Sequence, residues 1–225
     1  MHAALVMKEH TMTIVIDPKR ILRYANRPRP SYVSSLAQAQ AMYDRYGISA
    51  NALRAAHFTA QIMYESQALR AEQENLNYSA NRLAAVWPSR FQPRGPLNPA
   101  DYAHQPQALA DYVYGNKNGN TEADDGYRFR GRGLLQLTFK SNYAAATRAL
   151  QKLKPMAPDL CLNPDAVTEP DWALAVAAAV WEAKGCNGYA DHDNINKVTR
   201  AINGGENGLA ERKIWLRMMK QLFGV

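Results

Sequence analysis

The run from Trp172 to Trp181 constrains this chain more than any other feature, because ten consecutive residues there carry no charge and no amide side chain. A helix that is apolar on every side has no face for water and must be enclosed. The run is about half the ~20 residues that a membrane-spanning helix needs, so it reads as a helix buried in protein. Pro170 stands where a first-turn proline is tolerated and Gly185 where a C-terminal glycine cap belongs, which brackets the helix.

Other segments carry helical periodicity around it. Leu36, Ala39, Tyr43 and Tyr46 recur at helical spacing, with Ser34 or Ser35 as N-cap and Gly47 as stop. A second helix is expected from about Asn51 to Ser66, with Leu53, Ala56, Ala60 and Met63 on one face. Shorter pieces are expected at Ser79 to Trp87 and Gln105 to Tyr112, a further helix at Asn142 to Lys152, and an amphipathic one using Leu209, Leu216, Met219 and Leu222. A small hairpin is expected within Tyr127 to Thr138, and a brief strand at Thr13 to Ile16.

Residues 1–33 hold Pro18, Pro28 and Pro30 among basic residues and read as a partly irregular arm before a single domain at 34–225. Within that domain the Asn-, Pro- and Gly-rich stretch from about 67 to 125 reads as a smaller lobe. The fold class is mainly α.

Hydrophobic residues make up 47% of the 225 and charged residues 21%, which excludes a disordered chain. The net charge of +7 favours anionic polymers as partners without choosing among them. Two cysteines, Cys161 and Cys186, are too few for a disulfide scaffold or a zinc site. The opening MHAALVMKEH has only a short apolar run before Lys8 and Glu9, with no basic start and no small-residue cleavage site.

Two glutamates stand out as candidate chemistry. Glu65 closes the second helix in AHFTAQIMYES, and Glu74 follows nine positions later. Glycoside hydrolysis needs such a pair: one protonated carboxyl to release the leaving oxygen and one ionised to activate water. Glu65 follows Ile62, Met63 and Tyr64, where partial burial would raise its pKa, whereas Glu74 lies among Gln73, Asn75 and Asn77. Glu72, two positions away, offers the same chemistry as Glu74. Spacing alone would leave all three as surface residues.

Segment order says more. AHFTAQIMYES, ENLNYSANRLAAVWPSRF, VYGNKNGN, DDGYRFRGRGLLQLTFKSNY, a Trp-bearing buried helix and TRAINGGENGLAER follow one another over residues 50–215. Together these resemble glycoside hydrolase family 19, and within it the compact endolysin-like members of bacteriophages and prophages. The resemblance implies a lysozyme-like bilobed helical fold with a deep cleft and an inverting mechanism. It makes Glu65 the general acid, Glu74 the general base and Thr138 the hydroxyl that helps hold the nucleophilic water. It places Gln136, Asn142 and Asn203 along the sugar cleft and counts Arg212 with them as substrate-binding, a cation near the acid pair that would favour an ionised carboxylate. One departure is Tyr64, because many relatives have histidine directly before the catalytic glutamate.

Among the aromatics Tyr78, Trp87, Tyr127 and Tyr143, Tyr78 is the foremost candidate for stacking on a sugar, since it lies in the loop after Glu74. The expected substrate is the glycan strand of bacterial peptidoglycan. Chitin, or a non-catalytic wall-binding module, is the alternative. A monomer without cofactor or metal is expected, with electrostatic contact to an anionic envelope through Arg217 and Lys220, no nucleic-acid partner and no stable membrane insertion. The absence of an export signal implies retention in the host cytoplasm until a membrane-permeabilising protein releases the chain to the wall.

Rival motifs are incomplete. Tyr127-Arg-Phe-Arg-Gly-Arg-Gly mixes basic and aromatic residues but lacks the rest of a phosphate loop or dinucleotide fold, so its arginines are expected to brace the cleft against Asp124 or Asp125. Asp191 to Asn196 fails as a calcium loop because Ile195 falls where an oxygen ligand is required. No GxSxG elbow supports a serine hydrolase.

Overall fold

The computed structural model describes residues 13–225, so the opening decapeptide with Lys8 lies outside it. The described residues form twelve α-helices and no extended sheet. They are α1 (Pro18–Leu22), α2 (Pro30–Leu36), α3 (Ala39–Arg45), α4 (Ala52–Glu65), α5 (Ala80–Val86), α6 (Pro106–Tyr114) and α7 (Asp125–Arg128), then α8 (Lys140–Leu153), α9 (Ala173–Ala183), α10 (Cys186–Asp191), α11 (Ile195–Asn203) and α12 (Leu209–Phe223). None is long and apolar enough to cross a membrane.

The apolar run forms α9, buried from Ala173 through Trp181, with α2, α3, α8 and α10 packed against it. It begins three residues after Pro170, and Gly185 ends it in the left-handed conformation at φ 66°. Ser35 has a different job from the expected one. Its hydroxyl accepts the Leu174 backbone N–H at 2.9 Å, so it satisfies a free donor at the start of α9 instead of its own helix. The expected single helix there is two, α2 starting earlier at Pro30, with a break at residues 37–38.

α4 is as expected, with the Asn51 side chain accepting from Arg54 N at 2.9 Å as N-cap. Its burial from Ala55 to Met63 sets it deep against α12, and edge-on contacts Tyr43–Phe58 and Phe58–Trp181, at 5.2 and 5.4 Å, tie α3, α4 and α9 together. Residues 13–33 join this core through Ile16, Ile21 and Tyr32. The expected strand at Thr13 to Ile16 is instead irregular backbone, with Ile14 N donating to Ser49 O.

A second, smaller core gathers Leu76, Leu83, Phe91, Leu109, Ala110 and Val113, all within the stretch read as the smaller lobe. The molecule is therefore bilobed and mainly α. The lobes are stitched where Glu74 N donates to Gly131 O and Gly133 N to Glu72 O. The expected hairpin shrinks to one antiparallel bridge, Arg132 to Leu137, preceded by the helical turn α7.

The arginines of that segment find partners other than Asp124 and Asp125. Arg132 pairs with Asp165 at 3.0 Å, Arg130 donates to Gln73 Oε1 at 2.6 Å and Arg128 to Cys161 O at 2.9 Å. Asp125 is taken by Lys140, 3.0 Å away. Asp191 holds Arg54, and Asp193 holds both His57 and Lys220, so Lys220 is committed to an internal ion pair.

Candidate active site

Glu65 ends α4 at the wall of a cleft of about 670 Å³ between the lobes. Behind it Arg212 of α12, wholly buried, donates to Glu65 Oε1 and to Gln61 Oε1 one turn earlier on α4. Its Nε donates to Asn207 O at 3.2 Å, and its guanidinium lies 4.2 Å from the Tyr64 ring centroid. Tyr64 rests on Gly208, where an added Cβ would fall 1.8 Å from the tyrosine oxygen. Only glycine fits there, and its φ of 70° favours glycine as well.

Arg212 thus touches Glu65 and no cleft surface. This corrects its assignment to substrate binding: a side chain with no exposure cannot meet a sugar. Its charge favours ionised Glu65, yet the Glu65 pKa lies above the ordinary carboxylate value because loss of hydration on burial outweighs the attraction and hydrogen bond of Arg212.

Glu74 faces the same cleft from the start of the smaller lobe. Its Oε1 accepts the Gly131 backbone N–H at 2.6 Å, and its Oε2 accepts the Tyr114 hydroxyl at 2.6 Å. Burial, and then the nearby Glu74 charge, push the Tyr114 pKa far upward, so the phenol remains a donor. Glu72 is turned to Ser31 and Arg29 and does not line the cleft.

Across from Glu74 the backbone bends sharply, with positive φ at Gln136 (48°) and Phe139 (75°). This delivers Gln136 and Thr138 to one wall. Thr138 donates its hydroxyl proton to Gln136 O at 3.0 Å, leaving its lone pairs as acceptors, and Asn142 braces Thr138 O at 2.7 Å. A Cβ on Gly131 would lie 3.0 Å from Gln136 Oε1, 3.2 Å from Thr138 Oγ1 and 3.3 Å from Glu74 Oε1. The three oxygens therefore converge above a glycine.

Of the residues expected here, Glu65, Glu74, Thr138, Gln136, Asn142 and Asn203 line the one cleft, and Tyr78 and Arg212 do not. Tyr78 is half-buried and packs edge-on against Trp87 at 5.3 Å, against the smaller core. Tyr143 is wholly buried, and Tyr127 stacks on the Arg130 guanidinium at 4.0 Å. Sequence reasoning missed Tyr114 and Gly131. Tyr114 stood in the VYGNKNGN segment, one residue before a helix-ending glycine, which was the available signal. Among the described residues no group of three or more His, Cys, Asp or Glu side chains is placed to hold a metal.

Two lobes with a carboxyl from each meeting in a polar cleft describe a class of glycan-cleaving hydrolases. The comparisons agree with that class. Over 199 residues the chain is 36% identical to a glycosyl hydrolase family 19 domain-containing protein of Haemophilus influenzae, covering 86% of this chain and 92% of that protein. The chain belongs to glycosyl hydrolase family 19 and is a glycoside hydrolase by descent. No protein-family model matches it. Its fold is shared with chitinase C of Streptomyces griseus, at 16% identity and a TM-score of 0.56, covering 92% of this chain and 90% of that one. A bacterial family 19 chitinase is similar at 19% identity and 0.53, covering 94% and 96%.

Proposed function

We propose that the protein hydrolyses the β-1,4-glycosidic bonds of bacterial peptidoglycan by inversion, with Glu65 as general acid and Glu74 as general base. The observation that carries this is the unlike treatment of the two carboxyls. Glu65 is mostly buried and its pKa is raised above the ordinary carboxylate value, as suits a donor to a leaving oxygen. Glu74 is oriented by Tyr114 and the Gly131 amide beside the spot framed by Thr138 and Gln136. A water held between them would give one proton to Glu74 while its other O–H donates a hydrogen bond to Thr138, turning a lone pair toward the anomeric carbon. Gln136, Asn142 and Asn203 offer paired donors and acceptors to sugar hydroxyls.

The net charge of +7 suits an anionic wall polymer better than neutral chitin. The role that goes with this chemistry is that of an endolysin, held in the host cytoplasm until the membrane is permeabilised and then lysing the cell. Chitin is the second reading, since the structural neighbours are chitinases.

Loss of turbidity of purified peptidoglycan, absent with Glu65→Gln, tests the proposal; loss that persists in Glu65→Gln refutes it, and cleavage of colloidal chitin alone favours the second reading. Mass spectrometry of the products tells muramidase from glucosaminidase by which sugar is reducing. Proton NMR during the first turnovers should show the α-anomer, whereas a β-anomer would mean retention. Expression inside bacteria should lyse them only after the membrane is permeabilised.

A further inference from the structure

Beside its polar side chains the cleft is lined by aliphatic groups from three helices: Ala145 and Ala149 from α8, Val180 and Ala183 from α9, and Ile202 from α11. Asn142, Ala145 and Ala149 share one face of α8 at helical spacing, so this apolar arm runs ~10 Å beyond Asn142 at ~1.5 Å per residue. A bare glycan strand, with its hydroxyls and acetamides, makes poor use of such a surface.

Lys184 stands at the same wall, one residue after Ala183, and among the described residues is the only cation lining the cleft. Its ammonium donates to Ala201 O at 2.7 Å, which fixes the long side chain near the C-terminal end of α11. It makes no ion pair with a carboxylate among the described residues, and a single carbonyl uses one of its three N–H donors. The arm therefore offers small apolar contacts together with a positive charge that has donors to spare.

We propose that this arm is a subsite for the stem peptide of peptidoglycan, with Lys184 binding a peptide carboxylate. The inference rests on the peptidoglycan reading above and deepens it. The pendant that separates peptidoglycan from chitin is a lactyl ether extended by a short peptide of alanyl methyls and free carboxylates. Methyls and an anion together match what this lining offers, and a charge-assisted hydrogen bond to Lys184 would hold the carboxylate. Lys184 is a specificity-determining residue here and takes no part in bond cleavage.

The test compares kcat/KM, read as new reducing ends, on intact peptidoglycan and on the same strands stripped of stem peptides by an amidase. The ratio of intact to stripped should fall about tenfold in Lys184→Ala and further in Lys184→Glu, as expected for loss of a charge-assisted hydrogen bond. Ala145→Phe, which fills the arm without removing the charge, should lower the same ratio. Added salt should narrow the difference between wild type and Lys184→Ala. A ratio unchanged in all three variants overturns the subsite while leaving the glycosidase reading intact. A wild type that cuts neither substrate overturns the peptidoglycan reading and the subsite with it.

Discussion

Replacing Gly131 by alanine tests how the water is held without touching either carboxyl. The new methyl would stand 3.0 Å from Gln136 Oε1, 3.2 Å from Thr138 Oγ1 and 3.3 Å from Glu74 Oε1, directly beneath the place where a water bonded to Thr138 and Glu74 would sit. Gly131 is not among the glycines with positive φ, so alanine meets no backbone strain, and the amide donor to Glu74 is retained. Its neighbours are side-chain ends that can yield by tenths of an ångström, so overpacking should cost about 1 kcal/mol, the low end of its usual range. For a chain of this size that lowers Tm by only about 2–4 °C. The water, by contrast, must leave or shift by about 1 Å, and misplacement on that scale lowers kcat on the order of 100-fold, equivalent to about 2.7 kcal/mol of barrier. Steady-state release of reducing ends, beside a thermal melt, measures both. A Gly131→Ala protein that melts normally and turns over within about threefold of wild type would refute this placement of the water.

Other expectations follow from the same contacts. Arg212→Met leaves Glu65 buried without its cation and should lower stability by about 3–5 kcal/mol, with Arg212→Met/Glu65→Gln recovering part of it; equal melting of the single and double variants would show that the stranded carboxyl is not the cause. Because the folded-state pKa of Glu65 is raised, its stabilising contribution is present below the ordinary carboxyl pKa of 4.5 and lost as pH rises through the folded value. Wild type should therefore lose stability relative to Glu65→Gln over that window, and activity should fall on the same alkaline limb; parallel melting curves across pH would contradict the shift. Tyr114→Phe removes a donor from Glu74 and should lower kcat about tenfold with KM little changed, whereas a loss confined to KM would place Tyr114 in substrate binding. With Lys220 engaged by Asp193, Arg217→Gln rather than Lys220→Gln should weaken binding to anionic envelopes at low salt, measured by cosedimentation with vesicles carrying anionic lipid.

Much of the fold was legible because its signals are local. The apolar run of α9, the Asn51 cap of α4, the Ser79 cap of α5 and the periodicity of α8 and α12 are each written within a dozen or so residues. The short helices α1, α7, α10 and α11 were not picked out. Two of them nonetheless carry local signals, the Asp17 cap with Pro18 behind it in α1 and the Asn194 cap with a left-handed Gly204 at the end of α11. The ordered segments also named six residues of the cleft, although spacing by itself left the glutamates indistinguishable from surface charge.

The tertiary structure decided what each of those residues meets. Arg212 reaches Glu65 across 147 positions and Tyr114 reaches Glu74 across 40, so neither partner follows from its neighbours in sequence. Tyr78 had the better local case for the cleft, and it packs half-buried against Trp87 at the edge of the smaller core, outside the cleft lining. Glu72 and Glu74 are equivalent in type and nearly in position, yet the pairing of residues 72–74 with 131–133 sends one to Ser31 and the other into the cleft. Helix formation, capping and apolar periodicity are short-range physics and can be read along the chain. The orientation of a carboxyl, its burial and its proton affinity depend on atoms brought together only when the lobes close on each other.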